Sequence, residues 1–267
     1  MPTLRDRRPL SPRLRAWLLA LLSALLGYLA AQAQPLVFRP PLIAGQDAVP
    51  PGAGSDAQVA LVQVGGPALH IQPAAGAART LLVLYPGGLV RPQAYEWLGR
   101  ALSAQGVETV IPAFPADLAV LGPSRAAALI ERFGAGKRVV LAGHSLGGAM
   151  AAQYAARQPG RVDGLLLMAA YPAGNVSLKD QQLPVLSLLA EQDGVAAPDA
   201  VRGGLDRLPA GTTLTVIPGA VHAFFGRYGP QKGDGLPTVT RAKAEEDILR
   251  AVTGFLARLE AASPGPG

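Results

Sequence analysis

The chain of 267 residues contains no cysteine. That absence excludes a disulfide framework, a thiolate zinc site, a cysteine nucleophile and a cysteine for lipid attachment. Histidine is nearly as scarce, at three residues. Imidazole chemistry therefore falls to His70, His144 or His222. Aromatic residues make up only 5% and charged residues 16%. Hydrophobic residues reach 49%, enough for a real core, which excludes wholesale disorder. The length suits one large α/β domain or two small ones.

The formal net charge is +6, a balance that on its face suits nucleic acid, an anionic membrane or a local feature. Its distribution decides among these. Arg5, Arg7, Arg8, Arg13 and Arg15 stand against Asp6 in the first fifteen residues, a net of +4. The other 252 residues hold 19 basic and 17 acidic groups, scattered among one another, which argues against nucleic acid as a partner. Residues 16–31 carry no charge, and Ala31-Gln32-Ala33 follows. A basic flank, an apolar run and small residues are the three parts of a secretory signal, here with cleavage after Ala33. The run is slightly short of the roughly 20 residues of a comfortable bilayer span. An uncleaved signal anchor with its arginines inside is the alternative, and length does not separate the two. Residues 1–33 are therefore expected to be a signal peptide or signal anchor. The protein is expected to be exported (periplasmic or extracellular), or held at a membrane through residues 16–33. Arg7-Arg8 fits a twin-arginine export signal poorly.

Residues 34–58 are rich in proline and glycine and read as a linker. Residues 262–267 read as a frayed tail. The span 59–261 alternates strand and helix signals without a repeat or a second boundary. Strands are expected at 59–64, 68–72, 80–84, 108–111, 138–142, 164–169, 185–190 and 213–217. Helices are expected through Ala94, Trp97, Leu98, Ala101 and Leu102, and at 125–133, 146–158, 198–208 and 241–259. Repeated β-α alternation predicts an α/β fold, a mostly parallel sheet with helices on both faces.

One motif carries chemistry. The apolar run Val139-Val140-Leu141-Ala142 leads into Gly143-His144-Ser145-Leu146-Gly147-Gly148, and a helix follows. This is Gly-x-Ser-x-Gly in a strand-to-helix context. A sharp turn there strains the serine backbone and exposes Oγ, and glycines avoid collisions on either side. It also presents the Leu146 N–H at a helix N-terminus, toward a developing oxyanion. The competing reading is a phosphate-binding turn, but no lysine stands at the helix start.

A serine needs a base. His144 lies inside the turn and should point away from the working side of Oγ. His70 lies on the opening hairpin, as a solvated or satisfied strand residue. His222 follows the last strand, where a base belongs when the order is serine, acid, histidine. Asp193, in Glu191-Gln192-Asp193-Gly194 after the strand at 185–190, is the expected orienting acid. Glu191 should turn away, and Asp199 should sit in the first turn of the next helix. In Tyr85-Pro86-Gly87-Gly88-Leu89 the N–H of Gly88 is the expected second oxyanion donor.

These residues resemble the α/β-hydrolase superfamily across roughly residues 59–260, in the superfamily's order Ser145, Asp193, His222. The chain also resembles a narrower group of small hydrolases in three segments. They are Tyr85-Pro86-Gly87-Gly88, the turn 143–148, and His222-Ala223-Phe224-Phe225-Gly226-Arg227-Tyr228-Gly229-Pro230-Gln231 continuing to Gly233-Asp234-Gly235. The last segment is expected to pack Phe225 and Tyr228 against the histidine turn; a cation loop at Asp234 is disfavoured by the shortage of nearby carboxylates. Only about 15 residues separate the strands ending near 169 and beginning at 185, too few for a helical lid. The resemblance implies a serine hydrolase of a carboxylic ester or similar small-molecule acyl substrate, with no metal or organic cofactor. Tyr85, Leu89, Tyr171 and Phe224 are expected to line an open site suited to short or medium acyl groups. A peptidase, amidase or acyltransferase on the same triad, or an exported binding protein that kept the fold, are the alternatives.

Overall fold

A computed structural model of the chain describes residues 11–37, 41–43 and 57–262. Contacts divide the chain into two units, residues 1–39 and 40–267. The first unit holds helix α1 (Pro12–Val37). Within it, Pro12–Ala30 is the one stretch among the described residues long and apolar enough to cross a membrane, by length and composition. Trp17, Leu21 and Tyr28 are exposed along it. The helix continues past Ala33, so the expected linker begins as helix. Arg5, Asp6, Arg7 and Arg8 lie outside the described residues.

In the second unit the apolar runs become strands of one eight-stranded sheet, in the order β1-β2-β4-β3-β5-β6-β7-β8. Strands β1 (Gln58–Gln63) and β2 (Pro67–Gln72) form an antiparallel hairpin that adds to the sheet through β4 (Val107–Pro112). The hairpin turn uses Gly65 and Gly66, both at positive φ. Strands β3 (Thr80–Tyr85), β4, β5 (Arg138–His144), β6 (Gly164–Met168), β7 (Val185–Ala190) and β8 (Thr213–Ile217) run parallel. Strand β5 runs two residues farther than expected, because Gly143 and His144 still pair with Leu167 and Met168. The strand therefore enters Ser145 directly.

Side-chain alternation splits the core into two layers. Leu82, Leu84, Val140, Ala142, Leu166 and Met168 pack with helices α2 (Glu96–Ser103) and α6 (Arg241–Ala261). Leu81, Val83, Tyr85, Leu141, Leu165 and Leu167 pack with α3 (Arg125–Phe133) and α4 (Leu146–Arg157). Helix α5 (Pro198–Gly204) sets Val201 in the first layer. Helices thus cover both faces, as parallel strands that are apolar throughout require. Residues 169–184 between β6 and β7 contain no helix, so no helical lid stands there.

Residues 41–43 fall within the expected linker, yet they are pinned in place. Leu42 forms an antiparallel bridge with Tyr228, Ile43 N donates to Arg227 O (3.1 Å), and Gly229 N donates to Pro41 O (3.0 Å). The rest of that linker, at 38–40 and 44–56, and the tail at 263–267 lie outside the described residues.

His70 is a satisfied strand residue. Its Nε2 meets Glu108 Oε1 at 2.5 Å, and Lys137 Nζ meets Glu108 Oε2 at 2.8 Å. Lys137 also donates to Phe133 O (2.7 Å), and the His70 ring lies 4.5 Å from that of Phe133. Burial alone would raise the Glu108 pKa, but the bonds to His70 and Lys137 outweigh it and hold the carboxyl below its usual value of 4.5. A depressed carboxylate pKa contributes stability above the unfolded value and loses it as pH falls through the folded one. Acidification below pH 4.5 is therefore expected to lower Tm, and Glu108→Gln to flatten that acid limb. At neutral pH the variant should lose about 1–3 kcal/mol, discounted because the cluster borders a surface cavity. Thermal unfolding of both proteins from pH 3 to 7 (roughly the range where carboxylates titrate) checks this; parallel curves would assign the acid sensitivity elsewhere.

Candidate active site

Ser145 joins β5 to α4 with φ 51° and ψ −125°. A left-handed φ is costly for a residue with a side chain, of order 1–3 kcal/mol. The surroundings hold it. Ser145 N donates to Met168 O (3.0 Å), and Ala149 N donates to Ser145 O (3.1 Å). Glycines on both sides are sterically required. A Cβ on Gly143 would stand 2.5 Å from the backbone of Gly147 and Gly148. One on Gly147 would strike the Tyr85 and Pro86 carbonyls, and one on Gly148 would strike Ala170 Cβ. The turn is thus wedged against the loop after β3, and Ser145 remains half-exposed.

That loop brings Gly88 beside Leu146. A Cβ on Gly88 would lie 3.3 Å from Leu146 Cδ2. Among the described residues, neither the Gly88 nor the Leu146 N–H has an intramolecular acceptor. The neighbouring Gly87 N–H is engaged, donating to Tyr95 Oη (2.9 Å). Tyr95 Oη in turn meets His144 Nδ1 at 2.8 Å. Burial, and then the adjacent His222, push the His144 pKa well below its usual value. Burial raises that of Tyr95. Both groups are therefore neutral, and one hydrogen bond joins the Tyr95 hydroxyl to His144 Nδ1. His144 thus turns Nδ1 to Tyr95 while its ring lies beside that of His222.

His222 opens a short 3-10 turn after β8 and is buried. Its Nδ1 meets Asp193 Oδ2 at 2.8 Å. Asp193 Oδ1 accepts from Val195 N (2.8 Å) and Ala196 N (2.7 Å), so the carboxylate is held on both oxygens. The His222 ring lies 4.5 Å from that of His144, the residue before Ser145. His222 Nε2 is buried with no hydrogen-bond partner, so no hydrogen bond yet joins it to Ser145. Such bonds are often long without substrate and tighten when it binds. Glu191 accepts from Gly219 N (2.8 Å), in the loop that leads to His222, and no described bond joins its carboxylate to the imidazole. Asp199 lies in the first turn of α5.

Of the expected lining residues, Tyr85 needs correction. Tyr85 is fully buried on the α3–α4 face, where its hydroxyl donates to Pro123 O (3.0 Å) and accepts from Ala126 N (2.6 Å). Strand alternation explains this, since Tyr85 follows Leu81 and Val83 onto one face. Leu89 is half-buried at φ 62°, with its N–H on Asp117 O (2.9 Å). Tyr171 packs on Gly204 of α5, and Phe224 lies under the Arg241 guanidinium at 4.4 Å. No described contact brings Tyr171 or Phe224 to Ser145.

A profile of the alpha/beta hydrolase family matches residues 81–246, well over half of the chain. The chain belongs to the alpha/beta hydrolase family. No curated protein sequence matches it. Among 1029 matching solved chains is a predicted CIB-like hydrolase from Thermoplasma acidophilum, with a TM-score of 0.58 and 18% identity. The match covers 76% of this chain and 98% of that one. A fold shared so widely carries many chemistries, so the substrate must be argued from the site.

In this alpha/beta hydrolase, Tyr95 is the contributor that the sequence hid. It lies next to the apolar set of α2, in the 3-10 turn Pro92–Tyr95, and only the fold sets it 2.8 Å from His144. The loop after His222 packs beside the same imidazole. Phe225 and Tyr228 are buried, with rings 5.5 and 6.2 Å from that of His144. Tyr95→Phe removes both hydroxyl bonds and leaves the Gly87 N–H without an acceptor. It is expected to lower stability by about 1–3 kcal/mol and to disturb the loop that carries Gly88. Denaturant unfolding measures the first, and loss of hydrolytic rate beyond any loss of folded protein measures the second.

Proposed function

We propose that the protein is a serine hydrolase of a carboxylic ester or a similar acyl bond. The observation that carries this reading is the buried Asp193–His222 pair set beside the strained serine turn. Ser145 Oγ attacks the substrate carbonyl while His222 Nε2 takes its proton. The carbonyl oxygen becomes an oxyanion, which the Leu146 and Gly88 N–H groups receive. Collapse breaks the bond to the leaving group, which takes the proton from His222. Water then attacks the acyl-enzyme, again with His222 as base, and releases the acid and Ser145. Asp193 keeps the Nδ1 proton in place and stabilises the imidazolium without taking up that proton. Each oxyanion donor is worth about 3–4 kcal/mol in comparable sites.

A site with no helical lid between β6 and β7 among the described residues, and with Ser145 half-exposed, supports short or medium acyl groups over long buried chains. The apolar α1 with its arginine-rich flank supports export or anchoring at a membrane. Ser145→Ala is expected to abolish labelling by a fluorophosphonate probe. His222→Ala and Asp193→Asn should lower kcat by about 10⁴-fold with the fold intact. A series of p-nitrophenyl esters should peak at short or medium chains. A sharp maximum at long chains, or preference for the matching anilides, would overturn the substrate assignment and leave the nucleophile standing.

A further inference from the structure

The segment after His222 contains a carboxylate that the mechanism above does not use. Asp234 stands twelve residues beyond the histidine, yet it faces the histidine turn. Its Oδ1 accepts from His222 N (3.0 Å), and its Oδ2 accepts from Ala223 N (2.9 Å). Oδ1 also accepts from Gly235 N (2.8 Å) and, more loosely, from Gly194 N (3.4 Å). Gly194 directly follows Asp193. One side chain thus holds the first two N–H groups of the turn that carries the imidazole and one N–H of the loop that carries the acid. A donor set made of N–H groups is the opposite of a cation site, which needs oxygen ligands.

The backbone packing reinforces these bonds. A Cβ on Gly194 would strike Gly233 O and stand 2.8 Å from Gly235 N. A Cβ on Gly235 would strike Gln192 O. The loops 192–194 and 233–235 therefore touch backbone to backbone, with Asp234 between them. Behind them the segment is anchored to α6. Arg227 makes a bidentate pair with Glu245, at 2.9 and 2.8 Å. Arg241 donates to the carbonyls of Ala223 (2.8 Å), Gly226 and Tyr228 (3.1 Å).

We propose that Asp234 is a positioning residue which straps the Asp193 loop to the His222 turn and so sets the alignment of the base. The proposal rests on the reading of Ser145, Asp193 and His222 as the reacting set. Its physical basis is that a displacement of about 1 Å in a catalytic group costs on the order of 100-fold in rate. The Asp193–His222 bond joins two separate loops. Gln192 N on Ala220 O (2.8 Å) and Gly219 N on Glu191 Oε2 (2.8 Å) also tie these loops, but neither bond reaches the N–H groups of His222 and Ala223, which Asp234 alone holds among the described residues.

The test uses the full chain with a short p-nitrophenyl ester, and counts active sites by burst titration. Asp234→Ala is expected to lower kcat by about 100-fold, with KM within about twofold. Asp234→Asn should fall between that variant and the wild type. Its amide oxygen can still accept from His222 N, but its NH₂ group cannot accept from Ala223 N. Gly194→Ala is a second, independent probe. It pushes the two loops apart while leaving the Asp234 carboxylate chemically intact, and should reproduce the loss in kcat. Ser145→Ala, run in parallel, isolates the underlying reading. Unchanged kcat in Asp234→Ala beside an inactive Ser145→Ala overturns the strap alone. So does a loss of activity matched one for one by a loss of titratable sites, which would make Asp234 a folding residue only. Full hydrolysis by Ser145→Ala would overturn the triad reading and the strap with it.

Discussion

The backbone of Gly147 lies against the carbonyls of Tyr85 and Pro86 with no room for a methyl group between them. This contact joins the first turn of α4 to the loop after β3, and much of the site follows from it. Strands β3 and β5 pair up to Tyr85 and Gly143, so the two loops leave the sheet at the same level. The close approach then sets Gly88 beside Leu146, so that two N–H groups without acceptors come from different strands to neighbouring positions. It also confines the turn in which Ser145 adopts its left-handed φ. A larger residue at 147 would press on the loop and the elbow together.

The polar interactions of the second unit divide by what they do. Lys243, Asp247 and Arg250 form an exposed group on α6, worth little once solvent screens it. The buried groups cost desolvation and recover it only where hydrogen bonds are complete. Asp193 meets that condition, with one oxygen on two backbone N–H groups and the other on His222. Arg227 and Glu245 meet it through a bidentate pair, the geometry in which a guanidinium binds a carboxylate best. These charges tie loops to one another and to α6 at the margin of the apolar core. Their gain is in position more than in net stability.

Most of the architecture was legible because it rests on local pattern. Apolar runs such as 185–190 and 213–217 became strands with the expected limits, and the expected helix at 125–133 is α3. The strand–turn–helix spelling around Ser145 was legible for the same reason, since its glycines answer contacts that any such turn must make. The spacing of strands along the chain was enough to bring Asp193 and His222 together. What escaped was non-local. In the sequence Tyr85 stands next to the Gly87-Gly88 loop and so looks like a lining residue. The last residue of a strand still obeys the alternation, and that sent it into the opposite core layer. Tyr95 looks like any core aromatic until the fold sets it between Gly87 and His144. Asp234 sits among glycines in a segment without periodicity, so its acceptor role appears only when loops distant in sequence meet.

The distribution of backbone strain follows the same division. Among the described residues, five other than glycine have positive φ: Leu89, Ala116, Asp117, Ser145 and Ala169. Every one follows the carboxyl end of a parallel strand, after β3, β4, β5 or β6. Two of them restrain each other, since Leu89 N donates to Asp117 O. Ala169 is held by its N–H on Leu188 O (2.8 Å). At the other end of the sheet, beside Glu108 and Lys137, the positive-φ positions are glycines, Gly106 and Gly136, which adopt it at little cost. Strain of this kind persists only where the surroundings over-determine it. The sheet and its buried His70–Glu108–Lys137 cluster therefore act as the rigid base. The opposite edge uses that rigidity to hold loops in conformations they would not adopt alone, with Ser145 at their centre.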